Sequence, residues 1–135
     1  MSPAEAIAKY LRTEGAATMA VVDARTYWPY STTEPTAPYV IVRLASTSRL
    51  VVTLQGAGQP REHSVEITCF ARTQSGAWAV ADAVRSDLDN HAGATPSTGG
   101  IALKRCYCSD ESEVIEAGLF EAGLFAVQQT YTVTT

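Results

Sequence analysis

The chain has 135 residues, the size of one domain, and can bury about two thirds of the surface that its unfolded form exposes. Apolar residues make up 46% and charged residues 18%, which excludes large-scale disorder, and the opening MSPAEAIAKYLRTEG carries charges throughout, unlike a signal peptide or membrane anchor. The net charge of -4 is unevenly placed: residues 106–135 hold five acids and no Lys or Arg, whereas nine acids and ten bases leave the first 105 residues at +1, so a DNA-reading module is disfavoured.

Ser2-Pro3-Ala4-Glu5 has the form of a helix start, with Ser as cap, Pro at the first helical position and Glu closing a capping box. Ala4, Ile7, Ala8 and Leu11 then share one face, which predicts a short amphipathic helix ending near Gly15. Three prolines among Thr, Ser and aromatics predict a loop from Thr26 to Pro38. In YVIVRLAS, Val40, Val42 and Leu44 alternate with Tyr39, Ile41 and Arg43 as in a half-buried strand. A second run, RLVVTLQG, reaches Gly56 before the turn GAGQP, so the two are expected to form a hairpin or meander.

REHSVEITCFA sends His63, Val65, Ile67, Cys69 and Ala71 one way and Glu62, Ser64, Glu66 and Thr68 the other, an antiparallel strand with one wet face. Glu62 and Glu66 read as the solubilising charges of an exposed edge. Ser75 is a candidate cap for the helix GAWAVADAVRSDLDN, with Ala77, Ala81, Val84 and Leu88 on one face and Asp82, Arg85, Ser86 and Asp89 on the other. HAGATPSTGG is a loop of turn formers, and IALKRCYC a strand. The acidic segment Asp110 to Glu121 reads as a solvated loop.

EAGLF then occurs twice in succession, at 116–120 and 121–125. A five-residue shift sends a copied side chain to the other face of a strand, or about 140° around a helix, so the copies cannot occupy equivalent environments. Solenoid periods are longer, roughly 20–50 residues. The first copy therefore reads as loop and the second as the lead-in to a final strand, with Phe125, Val127, Gln129, Tyr131 and Val133 on one face. The order of elements predicts a single α+β domain over 1–135: a mostly antiparallel sheet of about five strands with two helices packed on one face.

Motifs for chemistry are absent. GAGQPR lacks the third glycine of a dinucleotide loop and lies between strands, and neither a Gly-Lys-Ser/Thr phosphate loop nor a Gly-x-Ser-x-Gly elbow occurs. Three cysteines, Cys69, Cys106 and Cys108, are too few for a disulfide framework and fit a reducing compartment. Cys106 and Cys108, two apart on a strand, could meet His63 and Cys69 at a metal, but buried structural thiols are the plainer reading. No cofactor, metal or catalytic residue is expected. Two groups are candidates for contact: Tyr27, Trp28 and Tyr30, which either cover the core or form an interface, and the acids Asp110, Glu111, Glu113, Glu116 and Glu121.

Arg25-Thr26-Tyr27 in a turn-rich segment, PYVIV from Pro38, VEITCFART running into AWAVADAVRSDL, and the closing GLFAVQQTYTV together resemble the bacteriophage tail completion family, similar in fold to tail terminators. The likeness spans nearly the whole chain and rests on order and spacing; the doubled EAGLF departs from the family pattern. The resemblance implies a non-enzymatic virion subunit, assembled in the bacterial host cytoplasm and placed in the tail at the head–tail junction. Its implied partners are copies of itself in a hexameric ring, the tail tube protein and the head–tail connector proteins. Genome DNA would pass through the ring without sequence-specific binding, and no membrane is involved. The alternatives are a small α+β ligand- or metal-binding domain or enzyme, and another virion ring subunit of the head-completion or tube kind.

Overall fold

The computed structural model describes residues 3–28, 36–49, 61–89, 93–94, 102–103 and 105–134. Helix α1 (Pro3–Thr13) buries Ala4, Ile7, Ala8 and Leu11, the face expected from their spacing, together with Ala6. Its proposed cap, Ser2, lies outside the described residues. A second helix, α2 (Ala16–Val22), was not foreseen. Gly15 precedes it without a capping side chain, and the caps come instead from Asp87, whose carboxylate accepts from Ala17 N at 3.3 Å and Thr18 N at 2.7 Å. A Cβ on Gly15 would meet that carboxylate at 2.9 Å, so the close approach of these segments requires glycine.

Strand β1 (Thr26–Tyr27) falls inside the expected loop and pairs in parallel with β2 (Tyr39–Arg49). β2 runs unbroken past the predicted end of the first run, through a bulge between Leu44 and Ser46, and pairs directly with β3 (Arg61–Ala71). Most of the second run expected as a separate strand lies outside the described residues. Helix α3 (Gln74–Leu88) is capped by Thr73, not Ser75: Thr73 is extended, and its Oγ1 accepts from Gly76 N at 3.0 Å.

Short strands β4 (Gly93–Ala94) and β5 (Ala102–Leu103) form their own two-stranded sheet. Strand β6 (Arg105–Val114) starts within the expected strand but runs six residues past Cys108. Asp110, Glu111 and Glu113 thus stand in a strand, a correction to their reading as loop. Helix α4 (Ala117–Glu121) takes up most of the first EAGLF copy, also expected as loop, and β7 (Phe125–Thr134) begins at the end of the second. The two glycines of the repeat show why the copies differ. Gly118 lies within the helix, whereas Gly123, at φ +71°, ends it: Gly123 N donates to Phe120 O at 3.0 Å and Leu124 N to Leu119 O at 2.8 Å, the double bond of a Schellman motif.

The main sheet has the order β1-β2-β3-β7-β6, antiparallel except at β1. β3 is therefore the central strand, which corrects the reading of Glu62 and Glu66 as edge charges; they belong to the open face, where Glu66 forms an ion pair with Arg43 of the neighbouring strand. α1 and α3 supply the main helix contacts to the sheet, as expected, and α2 packs against those two helices. Val40, Val42, Val65, Ile67, Cys69, Val127, Tyr131 and Val133 join the apolar faces of α1 and α3 in one buried cluster. Burial alternates along β3 and, from Val127 onward, along β7, so a one-residue slip of either strand would expose its inward row.

The two faces differ measurably in what they contribute. Ile67→Ala, in the buried cluster, should lower the free energy of unfolding by about 2–5 kcal/mol, and Ile41→Ala, on the open face, by less than about 1.5 kcal/mol, as read by urea denaturation of the isolated protein.

Candidate functional site

The sequence singled out two groups of residues, and the sheet places them at opposite edges. Tyr27 lies in β1 with its ring 6.4 Å from that of Tyr39, which in turn stacks on Phe70 at 4.7 Å. This aromatic row covers one end of the open sheet face. Trp28, the next residue, is 37% exposed. Tyr30 lies outside the described residues.

Asp110, Glu111 and Glu113 lie on β6 at the other edge, Glu121 ends α4, and Glu116, just before α4, lines a recess of the open face with Arg43 and Glu66. The strand period divides them. Glu111 and Glu113 oppose Gln129 and Val127 of β7 and turn toward α3, whereas Asp110 opposes Thr130 on the open face. Glu111, a half-buried acid, takes two hydrogen bonds from Arg85 Nη1 at 2.7 and 2.8 Å and another from Gln129 Nε2. Arg85 also pairs with Asp82 one turn earlier. Glu113 Oε1 accepts from Trp78 Nε1 at 2.8 Å and Gln74 Nε2 at 2.7 Å. These bonds, Trp78 first, hold the Glu113 carboxyl below the usual carboxylate range. Glu111 and Glu113 are thus engaged within the subunit, while Asp110, Glu116 and Glu121 are exposed.

Gln129 is the centre of this network and was read from sequence only as one member of an alternating row. Fully buried, it donates to Ala81 O at 2.9 Å and to Glu111, and accepts from Tyr131 OH at 3.0 Å. A glutamine at an inward strand position is the signal that could have revealed it, because a buried amide requires partners. At the far end of α3, Asp89 Oδ1 accepts from Cys108 N at 3.1 Å, beside the bulge that re-aims β6 after Cys108.

The residues weighed as metal ligands or nucleophiles do not converge. His63 and Cys69 face the same side of β3 but six residues apart, about 20 Å along the strand. Cys106 opposes Val133 of β7, which opposes His63, so a whole strand separates them. Among the described residues, no three of His, Cys, Asp and Glu could hold a metal ion. Burial pushes the thiols of Cys69 and Cys106 up, so both stay protonated and poorly nucleophilic. His63 Nδ1 and Thr47 Oγ1 are joined by a hydrogen bond of 2.9 Å, and burial, then Arg61, lowers the His63 pKa. Among the described residues no helix is long and apolar enough to cross a membrane.

The order of elements agrees with the comparisons. Residues 5–132 match the family described as tail completion protein gp17. The chain belongs to that family. It is therefore a structural virion protein of the phage tail completion type. A chain from a solved structure described as the virion of a native gene transfer agent (GTA) particle shares the fold, with a TM-score of 0.67 at 17% identity over 98% of each chain. No curated protein matches the sequence.

The network makes a direct prediction. Gln129→Leu leaves the Tyr131 hydroxyl buried without its acceptor and removes the amide donor to Ala81 O, and should destabilise the protein by about 1–3 kcal/mol. In a double-mutant cycle, Gln129→Leu and Glu111→Gln should couple, and Gln129→Leu and Ile41→Ala should add.

Proposed function

We propose that this protein caps the tail tube of a long-tailed phage or related particle and joins the tail to the head, as a subunit of a homohexameric ring. Membership of the tail completion family carries the reading. The shared fold in a gene transfer agent virion supports a place in a particle; within the proposal that place is the tail at the head–tail junction, after assembly in the host cytoplasm. The tail tube protein would lie on one side of the ring and the head–tail connector proteins on the other. Genome DNA would pass through the channel without being read.

Ring formation asks for particular features of a subunit. A contact between unlike surfaces whose rotation closes generates a ring, so a subunit needs two different mating surfaces and no reaction chemistry. The whole chain, 1–135, serves as one such domain. The β1 edge offers Tyr27 and Trp28, with Tyr30 following in the sequence. The β6 edge offers Asp110, Glu116 and Glu121, while Glu111 and Glu113 hold that edge to α3. Negative charge on a surface near the channel would keep passing DNA from adhering.

Particles made without the protein should show, by negative-stain electron microscopy, tails of irregular length or tails unjoined to filled heads, with normal particles restored by supplying the protein. Tails of normal length joined to heads in its absence would refute the role.

A further inference from the structure

Residues 16–27, which carry α2 and β1, do little to hold themselves in place. α2 has seven residues, too short to persist as an isolated helix, and of these only Val22 joins the apolar cluster. Its N-terminus has no cap of its own, because Gly15 offers no side chain and the acceptor for Ala17 N and Thr18 N is Asp87 of α3. At its other end Asp23 sits at φ +56° and ψ -131°, a conformation that costs energy for any residue with a Cβ. Two buried hydroxyls of the same stretch, on Thr18 and Thr26, have no hydrogen-bond partner among the described residues. Each of these features favours opening of the stretch.

The same residues cover the edge of β2. β1 pairs with β2 only at Thr26–Val40 and Tyr27–Ile41, and Arg25 O accepts from Val40 N at 2.9 Å. Among the described residues, no other strand lies on that side of β2. β3, by contrast, is paired with β2 on one side and β7 on the other, and its inward row lies in the apolar cluster. A unit with few buried apolar groups opens at lower free energy than such a core, so the sheet can stay folded while residues 16–27 come away.

We infer that residues 16–27 are a latch: they open as one unit while the sheet and α3 stay folded, with Asp87 as the catch, and opening bares the β2 edge at Val40 and Ile41. A bared edge presents unpaired N–H and C=O groups, the surface through which a sheet accepts a further strand. The closed latch withholds it. Asp87 acts as a positioning residue: it ties α2 to α3, and the tight link in which Arg25 N donates to Val22 O at 3.1 Å carries that position on to β1. The latch belongs to the single subunit and stands whether or not subunits form rings.

Residue-resolved amide hydrogen exchange of the full chain tests this, because Met19 N and Asp23 N are bonded within the α2 segment and Val40 N is bonded across to Arg25 O. The three amides should share one protection factor, at least about tenfold below that of the β3 amides. Asp87→Ala, which removes the cap acceptors, should lower all three together by roughly tenfold. Ile67→Val, in the core, should lower the β3 amides about fivefold and leave the three latch amides unchanged, since the core is still folded in the open form. The latch would be overturned by a single protection level for latch and β3, by an Ile67→Val effect on all amides alike, by Val40 parting from Met19 and Asp23, or by a folded Asp87→Ala with the three amides unchanged. Should Asp87→Ala fail to fold, the comparison of the parent with Ile67→Val decides alone.

Discussion

A buried amide holds the edge of this sheet in place. Gln129 joins the backbone of α3 at Ala81, the hydroxyl of Tyr131 and the carboxylate of Glu111, and Glu111 passes the connection to Arg85. An edge strand paired on one side only is the first part of a sheet to fray, and β6 has β7 as its single strand neighbour among the described residues. Contacts between β6 and α3 compensate: Glu111 binds Arg85, Glu113 binds Trp78 and Gln74, and Asp89 at the end of α3 accepts from the Cys108 amide. The outcome is a strand rich in acids that is nonetheless fixed against a helix.

That arrangement explains which parts of the fold were legible in the sequence. Burial alternation along β3 and β7 and the apolar face of α1 depend on side chains within the element itself, so their periods could be read directly. α2 could not be read that way, because a glycine occupies its cap position and Asp87, about seventy residues away in sequence, supplies the missing acceptor. The run SDESEV of β6 looks like a loop by composition, since neither its acids nor its serines favour a strand. Partners on α3 and β7 reverse that preference, and no local pattern announces them. The doubled EAGLF was legible only in its inequivalence: the first copy helical, the second closing the helix through Gly123 and leading into β7.

The candidate contact residues were legible as types more than as places. Aromatic residues in a proline-rich segment and acids in a basic-free tail suggested surfaces, but their positions at opposite edges of one sheet follow from strand order alone. The distribution also divides each group by role. Tyr27 packs on the Tyr39–Phe70 stack while Trp28 remains exposed, and Glu111 and Glu113 bind side chains of α3 while Asp110, Glu116 and Glu121 are exposed. A tail completion protein, on the proposed reading, does its work through such edges: a rigid sheet presents two unlike rims, and the helices on one face keep those rims in register.

Amide hydrogen exchange, compared between the free protein and the protein assembled in particles, addresses this most directly. Slowed exchange on assembly should concentrate at residues 25–28 and 105–121, the two rims, with the central strand β3 equally protected in both states. Unchanged exchange at both rims, with new protection confined to the open sheet face, would contradict the claim that the edges are the working surfaces.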